Sequence, residues 1–256
     1  CLSLCAEIKH TDMNLLEFAE KHGTEHKCRM KFKEIRDNAG VTCKRCKGTE
    51  HYWLNTKQMY QCKQCRFRTS LRSGTMMEAS NLPFRYWYIA LYCMTRDKKS
   101  VSAHQVQREL GHKYYQPIFE MMHKIRAAMG IRDEKYLLSG KVEVDEGFFE
   151  TLIEDEEKDK PRKRGRGSQK QTMALVLAQT EIVHKLKKNR PSSRCRYFKM
   201  IVCPEFDSDI AKTLIEESTT DGSRLISDGL NIYKKLKAEG MNINAETTPR
   251  NQAHKR

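Results

Sequence analysis

The sequence predicts a multidomain chain with N-terminal helices, a zinc ribbon, a helical middle that looks like a helix-turn-helix, and an α/β domain. Three observations carry that expectation. Four cysteines form two C-x-x-C pairs, Cys43/Cys46 and Cys62/Cys65. A valine and acid alternation runs from Val142 to Asp145. Beyond residue 140 the segments read strand, strand, strand, helix, strand.

A chain of 256 residues is long enough for two or three domains, and a 38% hydrophobic fraction can fill their cores. Charge sets the mean hydropathy of −0.76, and 48 Lys and Arg against 33 Asp and Glu leave a net charge of +15. Such a surplus attracts polyanions. The basic residues are spread over several segments and no amphipathic membrane-surface helix stands out, so nucleic acid is the expected partner. No apolar run approaches the roughly 20 residues that span a bilayer, and no basic-then-apolar signal segment opens the chain, so a cytoplasmic protein is expected. Cys1, Cys5, Cys28, Cys93, Cys195 and Cys203 lack paired spacing and read as isolated thiols. Cys1 in place of methionine and the polar segment Thr247 to Arg256 suggest a sequence cut at both ends.

Residues 14–39 read as two helices. Asn14 can cap the first, which carries Leu15, Leu16 and Phe18 and stops near Gly23; the second runs from about Glu25 to Asn38, with Cys28, Phe32 and Ile35 on one face. Packing is their expected role, with Lys27, Arg29, Lys31, Lys33 and Arg36 as possible phosphate contacts. Residues 40–72 read as the zinc ribbon. Each C-x-x-C turn holds two sulfurs on one side, and a hairpin of His51 to Leu54 with Gln58 to Gln61 brings the pairs together around structural Zn²⁺. Lys44, Arg45, Lys47, Lys57, Lys63, Arg66, Arg68 and Arg72, interleaved with Tyr52, Trp53, Tyr60 and Phe67, describe a surface for phosphate or for a protein partner.

Residues 80–132 read as helical. Pro83 opens a helix whose Phe84, Trp87, Tyr88, Leu91 and Met94 suit a core, Ser102 and Gln105 form a capping box for a short helix ended by Gly111, and a third helix spans about Tyr115 to Met129. Either a helix-turn-helix that presents Lys124 and Arg126 to DNA or a plain three-helix bundle fits this pattern. His104, His112 and His123 have no ligand spacing.

Residues 140–256 form the α/β domain, with a charged loop at 154–170. Strands are expected at Val142 to Phe149, Thr172 to Ala178 and Arg196 to Val202, the last two joined by a long polar connection. A helix opened by Asp207 or Asp209, a strand from Ser223 to Asp228 and a helix from Leu230 to Glu239 follow. This order fits a ribonuclease-H-like core, in which the first strand is central and the fourth lies beside it. Asp145 and Asp228 would then converge, and two converging carboxylates repel unless a cation such as Mg²⁺ or Mn²⁺ lies between them. A half-exposed acidic strand without metal fits the alternation equally well.

The ordered set Cys43/Cys46/Cys62/Cys65, Ser73 to Met77, Leu82-Pro83-Phe84 with Trp87, Val142 to Glu146 and Ser227-Asp228-Gly229 resembles the ISXO-type insertion-sequence transposases, which join a zinc ribbon to a DDE-type integrase domain. The resemblance covers nearly the whole chain from about Asn14. It implies a transposase that binds the inverted-repeat ends of its element, cuts there with Mg²⁺ or Mn²⁺ and joins the freed 3′ ends to target DNA, usually as a homo-oligomer. Asp145 and Asp228 match the first and second catalytic carboxylates of such enzymes. The third metal-site residue is expected on a helix beyond a further strand. Glu239 and Glu246 lack that context, and Glu146 reads at best as a supporting group. The expectation is a chain truncated before that helix: part of a transposase, or a non-catalytic zinc-ribbon and helix-turn-helix DNA-binding protein with a degenerate ribonuclease-H-like domain.

Overall fold

A computed structural model of the protein describes residues 13–96, 100–151, 168, 170–183, 192–203 and 205–245. The charged stretch Glu154 to Gly167, the thiols Cys1 and Cys5, and Glu246 to Arg256 lie outside the described residues. The chain divides into two compact units, Cys1–Arg132 and Asp133–Arg256.

In the first unit, capping side chains set the helix starts. Asn14 accepts the Glu17 N–H at 2.9 Å to begin α1 (Leu15–His22), and Thr24 accepts the Lys27 N–H at 3.2 Å to begin α2 (Glu25–Ala39). Gly40 ends α2 with a φ of 78°, in the region that glycine enters without steric penalty. A three-stranded antiparallel sheet follows, made of β1 (His51–Leu54), β2 (Met59–Cys62) and β3 (Arg68–Ser70). Strand β3 adds a third strand to the two-stranded hairpin read from the sequence. Three residues are too few to show an alternation, and only Thr69 among them is buried.

Helices α3 (Phe84–Arg96), α4 (Ala103–Leu110) and α5 (Tyr115–Asp133) complete the unit. Ser102 caps α4, and Gly111 closes it in the left-handed conformation. Residues from every part of the unit form one core, in which Phe32, Trp87, Leu91, Val106, Ile118 and Ile125 are each 0% exposed. The aromatic stripe of α3 is therefore packing. A side chain from far along the chain caps this helix: Glu25 accepts the Phe84 N–H at 3.1 Å and the Arg85 N–H at 2.9 Å. It satisfies two of the orphan donors at a helix start and places a negative charge on the positive end of the helix dipole.

Folding gives much of the basic charge an acceptor within the chain. Lys27 donates to Glu20 O, Arg29 to Glu25, Lys31 to Glu34 and Lys33 to Asp37. The Arg36 guanidinium donates to the carbonyls of Leu71 and Ser73 at 2.7 and 2.6 Å. Arg72 donates to the carbonyls of Ser80 and Leu82 and stacks over Phe84 at 4.4 Å. Lys124 donates to Glu78 O at 2.8 Å. All of these were candidate phosphate contacts on sequence alone, and each has an internal acceptor.

In the second unit a five-stranded sheet runs in the order β6-β5-β4-β7-β8, with β4 (Lys141–Glu150) at its centre. Strands β5 (Gln171–Val183) and β6 (Ser192–Val202) join it antiparallel, whereas β7 (Arg224–Ser227) and β8 (Ile243–Ala245) join it parallel. The expected polar connection is mostly strand: Thr180 to Val183 pair with Ser192 to Cys195, because sheet hydrogen bonds engage the backbone whatever the side chains. Strand β8 had no sequence signal beyond Ile243.

Helices α6 (Ser208–Ser218), capped by Asp207, and α7 (Asn231–Ala238) pack on one face of this sheet. Their Ala211, Ile215, Tyr233 and Leu236 form a core with Val142, Val144, Leu175, Leu177, Leu225 and Ile243. The alternation on β4 is thereby resolved. Val142 and Val144 enter the core at 0% and 3% exposure, and Glu143 and Asp145 take the opposite face. No helix among the described residues is long and apolar enough to cross a membrane.

Removing the carboxylate that caps α3 should loosen the first unit. Glu25→Ala is expected to destabilise it by about 1–2 kcal/mol, read as a lower urea midpoint followed by tryptophan fluorescence of Trp53 and Trp87.

Candidate metal centre and carboxylate pair

The four ribbon cysteines converge. Their sulfurs lie within 4.8 Å of one another, with Cys43 and Cys65 at 3.5 Å and Cys46 and Cys62 at 3.4 Å. Tetrahedral zinc with Zn–S bonds of about 2.3 Å needs sulfur separations of about 3.8 Å, so the donor set fits a structural Zn²⁺ site with all positions filled by thiolate.

Two matching turns build the site. In the first, the Lys47 N–H donates to Cys43 O at 3.0 Å and the Cys43 N–H to Gly48 O at 2.9 Å; in the second, the Arg66 N–H donates to Cys62 O at 3.0 Å and the Cys62 N–H to Phe67 O at 2.9 Å. Lys47 and Arg66 occupy the same place in each turn and share a left-handed backbone, with φ of 61° and 57°. Backbone N–H groups also prepare the sulfurs. Donation from Cys46 N–H lowers the Cys43 thiol to about 6, and donation from Cys65 N–H lowers that of Cys62. The Gly48 N–H acts likewise on Cys46, but the crowding sulfurs of Cys65 and Cys62 outweigh it and raise that thiol to about 12. A dication at the centre removes the repulsion that keeps the fourth proton.

The ribbon's outer surface is narrower than its composition suggests. Tyr60 is buried and donates to Asp37 at 2.7 Å, and Trp53 packs against the core under Lys33. Tyr52 and Phe67 remain exposed. Lys44 pairs with Glu78 and Lys63 with Glu50, whereas Arg45, Lys47, Lys57, Arg66 and Arg68 have no acidic or carbonyl side-chain partner among the described residues.

In the second unit the strand register places Asp145 beside Asp228. Val144 and Ser227 are the last paired residues of β4 and β7, so the next residue of each parallel strand is an aspartate. Strands so paired lie about 4.8 Å apart. Val144 and Ser227 both face the helices, hence Asp145 and Asp228 both leave on the opposite face, where they are exposed. Backbone amides hold one oxygen of each: the Glu146 N–H reaches Asp145 Oδ1 at 2.9 Å, and the Leu230 N–H reaches Asp228 Oδ1 at 3.2 Å.

Glu146 points the other way. Its Oε1 accepts the hydroxyl of Tyr233, a fully buried residue of α7, at 2.5 Å. Burial first, then this hydrogen bond and the charges of Glu146, Asp228 and Asp145, hold the phenol far above its ordinary range, so Tyr233 remains a proton donor. Sequence periodicity could not find Tyr233, which reads as an ordinary core aromatic. Among the described residues no third Asp, Glu, His or Cys joins Asp145 and Asp228 at metal-binding distance, and Glu239 instead pairs with Lys212 at 3.3 Å. His104, His112 and His123 contact the rings of Tyr115, Tyr86 and Phe119.

Zinc removal tests the ribbon. Purified protein is expected to carry about one zinc per chain, and Cys62→Ser to lose it; acidification should release it as the thiolates protonate, measured by a chromogenic chelator.

Family comparisons agree with the two parts of this architecture. An ISXO2-like transposase domain matches residues 137–256, and a transposase zinc-ribbon domain matches residues 23–68. An uncharacterized protein in transposable element ISH50 of Halobacterium salinarum is 26% identical over 129 residues, covering 49% of this chain and 42% of that relative. The chain thus spans less than half the length of the relative. No solved structure gives a significant match. With the DDE domain and the zinc ribbon each matched in its expected place, the chain belongs to the ISXO2-like transposases with an N-terminal zinc ribbon.

Proposed function

We propose that the protein acts in DNA transposition, its first unit binding the double-stranded ends of the element and its second, ribonuclease-H-like unit carrying the metal-dependent cleavage and strand-transfer site. The observation that carries this reading is the register of Val144 with Ser227, which sets Asp145 and Asp228 side by side where the parallel pairing of β4 and β7 stops. Carboxylates are hard oxygen donors, and an adjacent pair suits Mg²⁺ or Mn²⁺ better than softer metals. When bound, such a cation activates a water or 3′-hydroxyl and stabilises the leaving oxygen of a phosphodiester. The chain's own contribution is placement. The amides of Glu146 and Leu230 aim the two carboxylates, and the face they share is free of α6 and α7.

On the first unit, Arg45, Lys47, Lys57, Arg66 and Arg68, with exposed Tyr52 and Phe67, are the proposed phosphate contacts. Work as a homo-oligomer on DNA belongs to the same reading. A non-catalytic DNA-binding role is the second reading, favoured by the lack of a third Asp, Glu, His or Cys beside Asp145 and Asp228 among the described residues.

Two measurements separate these readings. Mn²⁺-dependent nicking of a duplex bearing the element end is expected to fall about 100-fold or more in Asp145→Asn and in Asp228→Asn, with DNA affinity unchanged. Cleavage at wild-type rate in both variants removes the site; no cleavage by any form supports the binding-only role. Replacing Arg66 and Arg68 together by alanine should weaken DNA binding and reduce the slope of log affinity against log salt by about 1.8. An unchanged slope would assign the ribbon to a protein partner.

A further inference from the structure

We infer that Tyr233 is a positioning residue for the carboxylate pair: its buried hydroxyl holds Glu146, whose own backbone amide holds Asp145 opposite Asp228. The inference rests on the reading of Asp145 and Asp228 as a divalent-cation site, and it assigns a role to a residue of α7 that does not reach the cation.

Strand alternation sends Asp145 to one face of the sheet and Glu146 to the other. Glu146 therefore faces α7, and its Oε1 lies 2.5 Å from the Tyr233 hydroxyl. The same residue turns its N–H to Asp145 Oδ1 at 2.9 Å. Fixing the Glu146 side chain from the helix side therefore restricts rotation of the peptide that aims Asp145 on the other side. The second carboxylate is governed from the same place. Leu230, the residue before α7, donates its N–H to Asp228 Oδ1 at 3.2 Å. Leu230 and Tyr233 are three residues apart, about one helical turn, so the start of α7 contacts both β4, at Glu146, and the residue after β7, Asp228.

A carboxylate pair left to itself would splay, because like charges on neighbouring strands repel. The turn of α7 opposes that motion from the back of the sheet, before any cation arrives. Glu146 is an intermediary here and is turned away from the cation.

Mn²⁺ titration of the zinc-loaded full chain, followed by the electron paramagnetic resonance of free Mn²⁺, tests the inference without DNA or catalysis. Asp145→Asn should abolish the site. Tyr233→Phe, which keeps the ring, and Glu146→Ala are each expected to weaken Mn²⁺ binding about tenfold, and the double variant to be no weaker than the weaker single. Glu146→Gln retains an oxygen that accepts the Tyr233 hydroxyl and should bind within about twofold of wild type. Wild-type affinity in Tyr233→Phe overturns the inference, as does additivity of the two losses. Should Tyr233→Phe fail to fold, Glu146→Gln still decides: a loss as deep as that of Asp145→Asn makes Glu146 a ligand and not an intermediary. If Asp145→Asn binds Mn²⁺ as well as wild type, the cation-site reading itself fails.

Discussion

Parallel pairing of β4 with β7 is the constraint on which the second unit depends. Parallel neighbours cannot be joined by a tight turn, so the chain between them must travel back across the sheet. Here that journey includes β5, β6 and α6, and α7 then leads from β7 to β8. The helices that make the return possible also bury the valine face of β4. One topological requirement thereby gives the central strand a dry side and a wet side, and leaves Asp145 and Asp228 together on the wet one.

In the first unit, strong charge complementarity works largely within the fold. Arg36 and Arg72 satisfy carbonyls of the segment between ribbon and helices, where the backbone is irregular and has few partners of its own. Burial lowers the pKa of both guanidiniums. Planar, multi-donor arginine suits such a task better than lysine. The net charge of +15 therefore overstates the surface available to a polyanion. Among the described residues of this unit, the cations without an acceptor include Arg45, Lys47, Lys57, Arg66 and Arg68 on the ribbon and Lys21, Arg108 and Arg126 on the helices.

The zinc ribbon and the carboxylate pair use backbone amides in a similar way. N–H groups of Cys46 and Cys65 stabilise the thiolates of Cys43 and Cys62, and those of Glu146 and Leu230 hold one oxygen on each aspartate. In both places local backbone donors are aimed at anions before a metal is considered. The difference lies in closure. Four sulfurs can complete a tetrahedron, whereas two carboxylates alone would leave most of the shell of a Mg²⁺ or Mn²⁺ ion to other donors.

Features that depend on neighbours in the chain were legible from sequence alone: the caps at Asn14 and Ser102 with the glycine stops, the C-x-x-C turns, and the alternation that names Asp145, because each is decided within a few residues by hydrogen bonding or strand geometry. The short strands β3 and β8 were not, since three residues carry no periodicity and are strands only because a partner lies alongside. Composition likewise could not separate Arg66 and Arg68 from Arg36, Arg72 and Lys124, whose acceptors lie 8 to 46 residues away. Sequence determined that Asp145 lies on the polar side of a valine-rich strand and that Asp228 follows a short strand beside a glycine. Only tertiary structure decided that Val144 pairs with Ser227, so that the two aspartates follow the same register, and that Glu146 turns away to meet Tyr233, because pairing, facing and burial are properties of segments far apart in the chain.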